Sequence, residues 1–299
     1  MTLNILSFGA GAIGTYIGGS LAHSGQRVVF LERPEVAADL RQRGLHLNLS
    51  GQEIHIPRPE MAGSIAQALE LGPFDAALFA LKSFDTAAAL ESLQAYVQAL
   101  PPFLCLQNGV ENEASLEAVL GSGKVIPGTV TSAIGRRGAG DIVLERLRGM
   151  GVAAGHPLSA SLAQALNGAG LNARLYAHAA DMKWSKMLTN LVSNATSAIL
   201  DMPPAEIFAH PGLYRLEIAQ LRETLAVMRA QKIQVVDLPS TPVRWLAFGA
   251  RFLPLAVSRP LLRRAIGSGR GGKMPSFHID LHSGRGQSEV DFLNGAVVR

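Results

Sequence analysis

The chain has 299 residues, 48% of them hydrophobic and 17% charged, which excludes a disordered protein and suggests about two domains at roughly 150 residues each. Its one cysteine, Cys105, excludes an internal disulfide and a Cys-based zinc site, so a reducing cytoplasm is the expected compartment. The formal charge of +4 is unevenly spread: between Asp237 and Asp280 there are seven basic residues (Arg244, Arg251, Arg259, Arg263, Arg264, Arg270, Lys273) and no acidic one.

Asn4-Ile5-Leu6-Ser7-Phe8 is a short apolar run stopped by glycine, and residues 12–24 read as a helix. The stretch from Leu3 to Ala22 carries no charge and has the length of a signal or membrane segment. It lacks a basic n-region, however, and Gly9, Gly11, Gly14, Gly18 and Gly19 interrupt it. A nucleotide motif explains it better. Gly9-Ala10-Gly11-Ala12-Ile13-Gly14 is a G-x-G-x-x-G that follows a strand and opens a helix inside a strand–helix–strand unit of about 30 residues. In that context Gly9 permits the tight turn, Gly11 lets the backbone approach a pyrophosphate, and Gly14 allows close helix–sheet packing. The free N–H groups of the helix start would receive the phosphates.

Arg27 to Leu31 reads as the second strand, and its end bears on cofactor choice. Glu32 sits where an acidic residue binds the ribose 2′-OH of NAD, while Arg33 can pair with the 2′-phosphate of NADP. Ala37 to Arg43 then reads as a helix, Leu45 to Ile56 as a hairpin, Asp75 to Leu81 as a buried strand, and residues 84–99 as a helix. Lys82, just past that strand, lies at the carboxyl edge of a parallel sheet and faces the ligand crevice, so it joins the cofactor-binding candidates. Phe103 to Leu106, with Cys105 buried, and Val125 to Gly128 add further strands. Gln107-Asn108-Gly109 ends the first of these two; its amides suit a nicotinamide or substrate oxygen, or simply a polar turn. The alternation implies an α/β fold: an N-terminal Rossmann domain with a parallel, doubly wound sheet over residues 1–177.

After residue 177 the texture changes. Apolar residues recur at helical spacing from Asp181 to Ile199 and from Tyr214 to Gln231, with no strand between, so residues 178–299 form a mostly helical C-terminal domain. Lys186, Asn190 and Asn194 are spaced i, i+4, i+8, which puts an ammonium and two amides on one helix face among apolar neighbours. Such a row needs partners, supplied by a polar ligand or by a network between helices. Met182, Met187 and Met202 read as core fillers. The basic stretch reads as a solvated helical surface or a field for an anionic ligand, with neither the interleaved aromatics of a single-strand binder nor a DNA-reading motif. His278 and His282 are i, i+4, but no third ligand of suitable spacing appears and hydride transfer needs no metal, so none is expected.

Taken together, the Gly-rich start, Leu81-Lys82-Ser83, Gln107-Asn108-Gly109, Trp184-Ser185-Lys186 with Asn190 and Asn194, Pro275-Ser276, and Glu289-Val290-Asp291-Phe292-Leu293-Asn294-Gly295 resemble the ketopantoate reductase family (2-dehydropantoate 2-reductases). The motifs stand in the family's order over nearly the whole chain. The resemblance implies a Rossmann domain plus a helical domain with a substrate cleft between them, and NADPH, hence NADP(H) as cofactor. It implies reduction of a 2-oxo acid to the 2-hydroxy acid, ketopantoate to pantoate in pantothenate and coenzyme A biosynthesis. Carried over by position, Lys186 is the catalytic lysine and Glu289 its carboxylate partner, Asn108, Asn190, Asn194 and Ser276 hold cofactor and substrate, and Arg33 takes the 2′-phosphate position. The expected partner is a small 2-oxo acid, with no nucleic acid and no membrane, and a homodimer is the candidate assembly.

Two departures stand out. Pro204 occupies a position where members of the family can have a further substrate-contacting Asn, which leaves other 2-oxo acids or an opine-type substrate open. The chain also stops at Arg299, where the family usually continues, so a shortened chain or an incompletely packed last helix is expected. A non-catalytic NADP(H) sensor would keep the glycine loop but have no use for Lys186 and Glu289 together.

Overall fold

The computed structural model describes residues 2–270, 274–282, 284 and 286–299. Lys273 of the basic stretch therefore lies outside the described residues, as does the side chain of Arg270. The chain divides into two compact units, one of Met1–Gln107 with Asn112–Ala179 and the other of Asn108–Glu111 with Ala180–Arg299.

The first unit alternates strands and helices. In chain order it contains β1 (Asn4–Phe8), α1 (Ala12–His23), β2 (Arg27–Leu31), α2 (Pro34–Arg43), β3 (Leu45–Leu49), β4 (Gln52–Ile56), β5 (Glu60–Ala62), α3 (Ile65–Glu70) and β6 (Ala76–Phe79). It continues with α4 (Thr86–Leu93), β7 (Phe103–Cys105), α5 (Asn112–Leu120), β8 (Val125–Val130), β9 (Ala133–Gly138), β10 (Asp141–Arg146), β11 (Met150–Ala153), α6 (Ser159–Gly168) and β12 (Ala173–Tyr176). Residues 84–99 are not one helix, because 3₁₀ turns at Ser83–Asp85 and Gln94–Tyr96 flank α4.

The main sheet has eight strands in the order β12-β11-β8-β7-β6-β1-β2-β5. Neighbours are parallel except β11 beside β8. The sheet is thus mixed rather than wholly parallel. Between β8 and β11 the chain makes only the antiparallel hairpin of β9 and β10, without the crossover helix that a parallel return requires. That hairpin joins the antiparallel pair β3 and β4 in a second sheet of four strands, ordered β4-β3-β10-β9.

Alternation along each central strand feeds two cores. Ile5, Leu78 and Leu104 enter one cluster with Ile17 and Leu21 of α1, while Leu6, Phe8, Phe79, Phe103 and Cys105 enter the other with Leu90, Leu93, Leu116 and Leu120. Strands buried on both faces read as continuous apolar runs, as these do.

The second unit is helical: α7 (Ala179–Leu191), α8 (Asn194–Leu200), α9 (Pro204–Ala209), α10 (Pro211–Ala230), α11 (Val243–Phe252), α12 (Leu255–Arg270), α13 (Ser276–His282) and α14 (Val290–Val298). The helix expected from Asp181 to Ile199 is broken between α7 and α8. Ser193 takes the left-handed conformation there (φ +53°), and its N–H donates to Glu217 Oε2 at 2.7 Å. The Glu217 carboxylate, 1% exposed, also accepts from the Thr196 hydroxyl, so it satisfies groups that the break would strand. The signal for this role was available, since Glu217 is a charge set among the apolar residues Tyr214, Ile218, Leu221 and Leu225 of α10. The last helix is packed: Leu293 and Ala296 of α14 close over Met187 and Leu191 of α7, with Val110 against them. Among the described residues no helix is long and apolar enough to cross a membrane.

Candidate active site

The glycine loop of the first unit has the geometry of a phosphate seat. Gly9 turns the chain off β1 with φ +90°, a conformation that disfavours any side chain. A Cβ on Gly14 would stand 2.1 Å from the Gly9 carbonyl oxygen, so only glycine lets α1 start so close to the strand end. A Cβ on Gly11, by contrast, would meet nothing within 4 Å. The loop is open where a pyrophosphate must approach and closed where the helix must pack. Ala10 is fully buried, its carbonyl held by Thr15 Oγ1 at 2.8 Å and by the Gly140 N–H at 2.9 Å, while Ala12 and Ile13 are half-buried in the first turn of α1. No side chain caps α1, which leaves N–H groups at its positive end for an anion. These residues fit a dinucleotide.

Glu32 and Arg33 follow β2 and take different roles. Glu32 Oε1 accepts from the Ala10 N–H at 2.6 Å, which draws the carboxylate onto the glycine loop. Arg33 caps the start of α2 with its backbone, and its guanidinium is exposed, with Glu35 at 3.9 Å. Lys82 follows β6 as the N-cap of the 3₁₀ turn and is half-buried. Gln107 is internal rather than ligand-facing: its amide donates to Leu81 O at 3.0 Å and Thr86 Oγ1 at 2.8 Å, pinning the segment around Lys82.

In the second unit, three residues far apart in sequence meet. Asn190 Nδ2 donates to Asn108 Oδ1 at 3.1 Å, and Asn108 Nδ2 donates to Glu289 Oε2 at 3.3 Å. Glu289 is the N-cap residue of α14 and is 4% exposed. Burying a carboxylate costs several kcal/mol without polar partners, and the Asn108 amide offsets part of that cost. Lys186 is half-buried one turn before Asn190 on α7, and its carbonyl accepts from Thr189 Oγ1 at 2.8 Å.

Asn194 does not continue that helix face. It opens α8 after the break, is 2% exposed, and its Oδ1 accepts the Phe277 N–H at 3.2 Å. It therefore holds the first turn of α13, where Ser276 is exposed. The polar residues form two groups, Asn108–Asn190–Glu289 with Lys186 nearby on α7, and Asn194 beside Ser276.

The basic stretch does carry aromatics. Trp245, Phe248 and Phe252 are exposed on α11 in a ladder with ring centroids 6.0 and 5.5 Å apart, and the Arg251 guanidinium lies 4.9 Å over Phe252. Beside them, Thr189, Leu246, Gly249, Ser258 and Leu262 help line an apolar cavity of about 370 Å³.

Comparison with known proteins matches both units. Residues 5–155 match the family model described as ketopantoate reductase PanE/ApbA, and residues 179–299 match its C-terminal counterpart. The chain is 25% identical to the 2-dehydropantoate 2-reductase of Halobacterium salinarum, over 99% of this chain and 91% of that protein. It is 27% identical to the 2-dehydropantoate 2-reductase of Pyrococcus horikoshii, over 74% and 72% of the two chains. Among solved structures, a PanE/ApbA family ketopantoate reductase from Ralstonia eutropha superposes with a TM-score of 0.80 at 26% identity, covering 99% of this chain and 90% of that one. A D-mandelate dehydrogenase solved with NADH and anilino(oxo)acetate shares the fold, with a TM-score of 0.77 at 22% identity over 99% and 90% of the chains.

Proposed function

The chain belongs to the ketopantoate reductase family, oxidoreductases that act on a CH–OH group with a nicotinamide cofactor, and from that premise we propose that it reduces a 2-oxo acid, ketopantoate first among candidates, with NADPH. The observation that carries this reading is the buried Glu289 carboxylate, hydrogen-bonded through Asn108 to Asn190, one helical turn from Lys186.

When bound, the nicotinamide supplies hydride to the carbonyl carbon. The protein must then stabilise charge developing on the carbonyl oxygen and deliver a proton to it. Lys186 takes both tasks: its ammonium attracts the developing alkoxide and donates a proton from Nζ as general acid. Glu289 accepts a hydrogen bond from a substrate hydroxyl and keeps the lysine aligned. Asn108 and Asn190 orient Glu289 and the substrate, and Ser276 receives the substrate carboxylate. Gly9 to Gly14 and the start of α1 seat the pyrophosphate, with Lys82 beside them.

NADPH is favoured by the exposed guanidinium of Arg33 at the end of β2, which suits a 2′-phosphate. A specific observation favours NADH as a second reading: Glu32 lies against the glycine loop, on the Ala10 N–H, where an acidic residue serves a ribose hydroxyl. The deciding experiment is a panel of 2-oxo acids, ketopantoate included, with oxidation of NADPH and of NADH followed in parallel. Reduction of ketopantoate or another 2-oxo acid with NADPH preferred is the expected result. Tight NADPH binding without turnover of any 2-oxo acid overturns the enzymatic reading.

A further inference from the structure

His278 and His282 form, with a residue 77 positions before His278, a compact set of metal-ligating groups. Asp201, the C-cap residue of α8, adopts the left-handed conformation (φ +51°) and places Oδ1 2.6 Å from His278 Nε2. The two imidazoles stack with centroids 4.0 Å apart and planes 22° from parallel. One ring nitrogen of each histidine and one carboxylate oxygen of Asp201 all lie within 4.8 Å of one another.

We infer that Asp201, His278 and His282 form a site for one divalent transition-metal ion of the zinc class, which clasps α13 to α8. Two imidazoles and a carboxylate are the ligand types that suit zinc, nickel or cobalt, and three protein ligands with solvent in the fourth position make a complete tetrahedral set. The orientation of His282 is already fixed in the manner of a ligand. Its Nδ1 lies 2.9 Å from the His278 carbonyl oxygen, which can only accept, so Nδ1 carries the proton and Nε2 is the basic nitrogen. Between His278 and Asp201 a proton now occupies the place the ion would take. Around a tetrahedral ion two such ligand atoms stand about 3.3 Å apart. The adjustment from 2.6 Å is a small rotation of the Asp201 side chain, which is 75% exposed.

The position gives the site a consequence beyond binding. Asn194, the first residue of α8, accepts the Phe277 N–H, and Asp201 caps the other end of α8. A metal at Asp201, His278 and His282 fastens α13 to the C-terminal end of α8, while Asn194 holds it at the other end, and α13 begins at Ser276.

The test uses the full chain, stripped with a chelator and dialysed. Zn²⁺ is titrated by calorimetry, and Co²⁺ by the visible absorption that reports tetrahedral geometry. One ion per chain is expected, with cobalt absorption that Zn²⁺ displaces and Mg²⁺ does not. His282→Ala and Asp201→Asn, at exposed positions that leave the fold intact by circular dichroism, are each expected to weaken binding about tenfold or more. Zn²⁺ is also expected to slow hydrogen exchange in α13 of the parent chain and not of His282→Ala. Absence of stoichiometric binding, or equal binding by parent and both variants, overturns the site.

Discussion

Asn190 donates its side-chain amide to the carbonyl oxygen of Asn108 at 3.1 Å, across 82 positions of sequence. That bond sets which end of the Asn108 amide faces Glu289: with Oδ1 accepting, Nδ2 is left to donate to the carboxylate. Asn108→Asp keeps the shape but puts a second carboxylate beside a buried one, so it is expected to be worse than Asn108→Ala. Loss of the donor alone should cost about 1–3 kcal/mol. Urea unfolding of the two variants checks the order, and a less stable alanine variant would contradict the assigned orientation.

The glycine loop separates into two kinds of glycine. Gly14→Ala forces a methyl group against the Gly9 carbonyl and should destabilise the first unit by about 1–3 kcal/mol. Gly11→Val has open space before it and should leave the melting temperature nearly unchanged while weakening cofactor binding about tenfold or more. Fluorescence titration with NADPH, read beside thermal unfolding, distinguishes the two outcomes. Undiminished affinity in a folded Gly11→Val chain would remove the loop from the cofactor site.

For the chemistry, Lys186→Ala is expected to lower kcat by about 10²–10⁴-fold with cofactor affinity little changed. Glu289→Ala should raise KM as well as lower kcat, because the carboxylate is assigned both substrate contact and lysine alignment. The double variant should be less impaired than the product of the two single effects. Steady-state kinetics on the best 2-oxo acid measure all three, and full activity in Lys186→Ala would refute the proton-donor role.

Cofactor preference can be read from a pair of substitutions. Arg33→Ala should cost NADPH on the order of 1.5–3 kcal/mol of transition-state binding, roughly 10- to 150-fold in kcat/KM, and leave NADH nearly unaffected. Glu32→Gln keeps an acceptor for the Ala10 N–H and removes the charge, so it should favour NADPH further. Comparable efficiency with NADH in the parent chain would select the alternative in which Glu32 binds the ribose.

Acid sensitivity has an assignable contributor in the Glu111–Arg299 pair of the second unit. Arg299 holds Glu111 through Nε at 3.1 Å and Nη2 at 2.5 Å, and these hydrogen bonds, against the opposing effect of burial, hold the Glu111 carboxyl below its usual range. A carboxyl depressed in the folded state contributes stability that is complete above its unfolded pKa, and that contribution is lost as pH falls through the lower folded value. Both side chains are about half exposed, so solvent screening keeps the pair's contribution small. Glu111→Gln should lose that contribution near neutral pH and nothing once the parent is protonated, as unfolding midpoints at a series of pH values will show.

The sequence was most legible where local pattern and local structure coincide. Gly9 to Gly14 lie between a short apolar strand and a helix, and the pattern that makes them recognisable is contained within about 30 residues. The elements that were missed depend on distant partners. Ser193 breaks a helix that periodicity alone would continue, because Glu217, 24 positions away, supplies the compensating hydrogen bonds. The antiparallel entry of β11 depends on a hairpin that leaves the main sheet and returns, which no single window of sequence records. Spacing groups Asn194 with Lys186 and Asn190, yet in the structure it opens α8 and holds α13. Its neighbours in space, unlike its neighbours in sequence, had no signature. Charge dominates the basic stretch in sequence, while Trp245, Phe248 and Phe252 form the continuous surface along α11.

The four residues from Asn108 to Glu111 belong by their contacts with the helical unit, although both flanking segments belong with the sheet. The molecule is therefore not divisible by a single cut. A gene fragment starting at Ala180 encodes nearly all of α7 and the described helices α8 to α14 but omits Val110, which packs against Met187, Leu191, Leu293 and Ala296, and omits Glu111, the partner of Arg299. It also lacks the amide that reaches Glu289. Exchange of the helical half with that of a relative would import a core missing one of its own side chains. Chimeras should carry residues 108–111 along with the donor's helices, as one inherited unit split across two places in the reading frame.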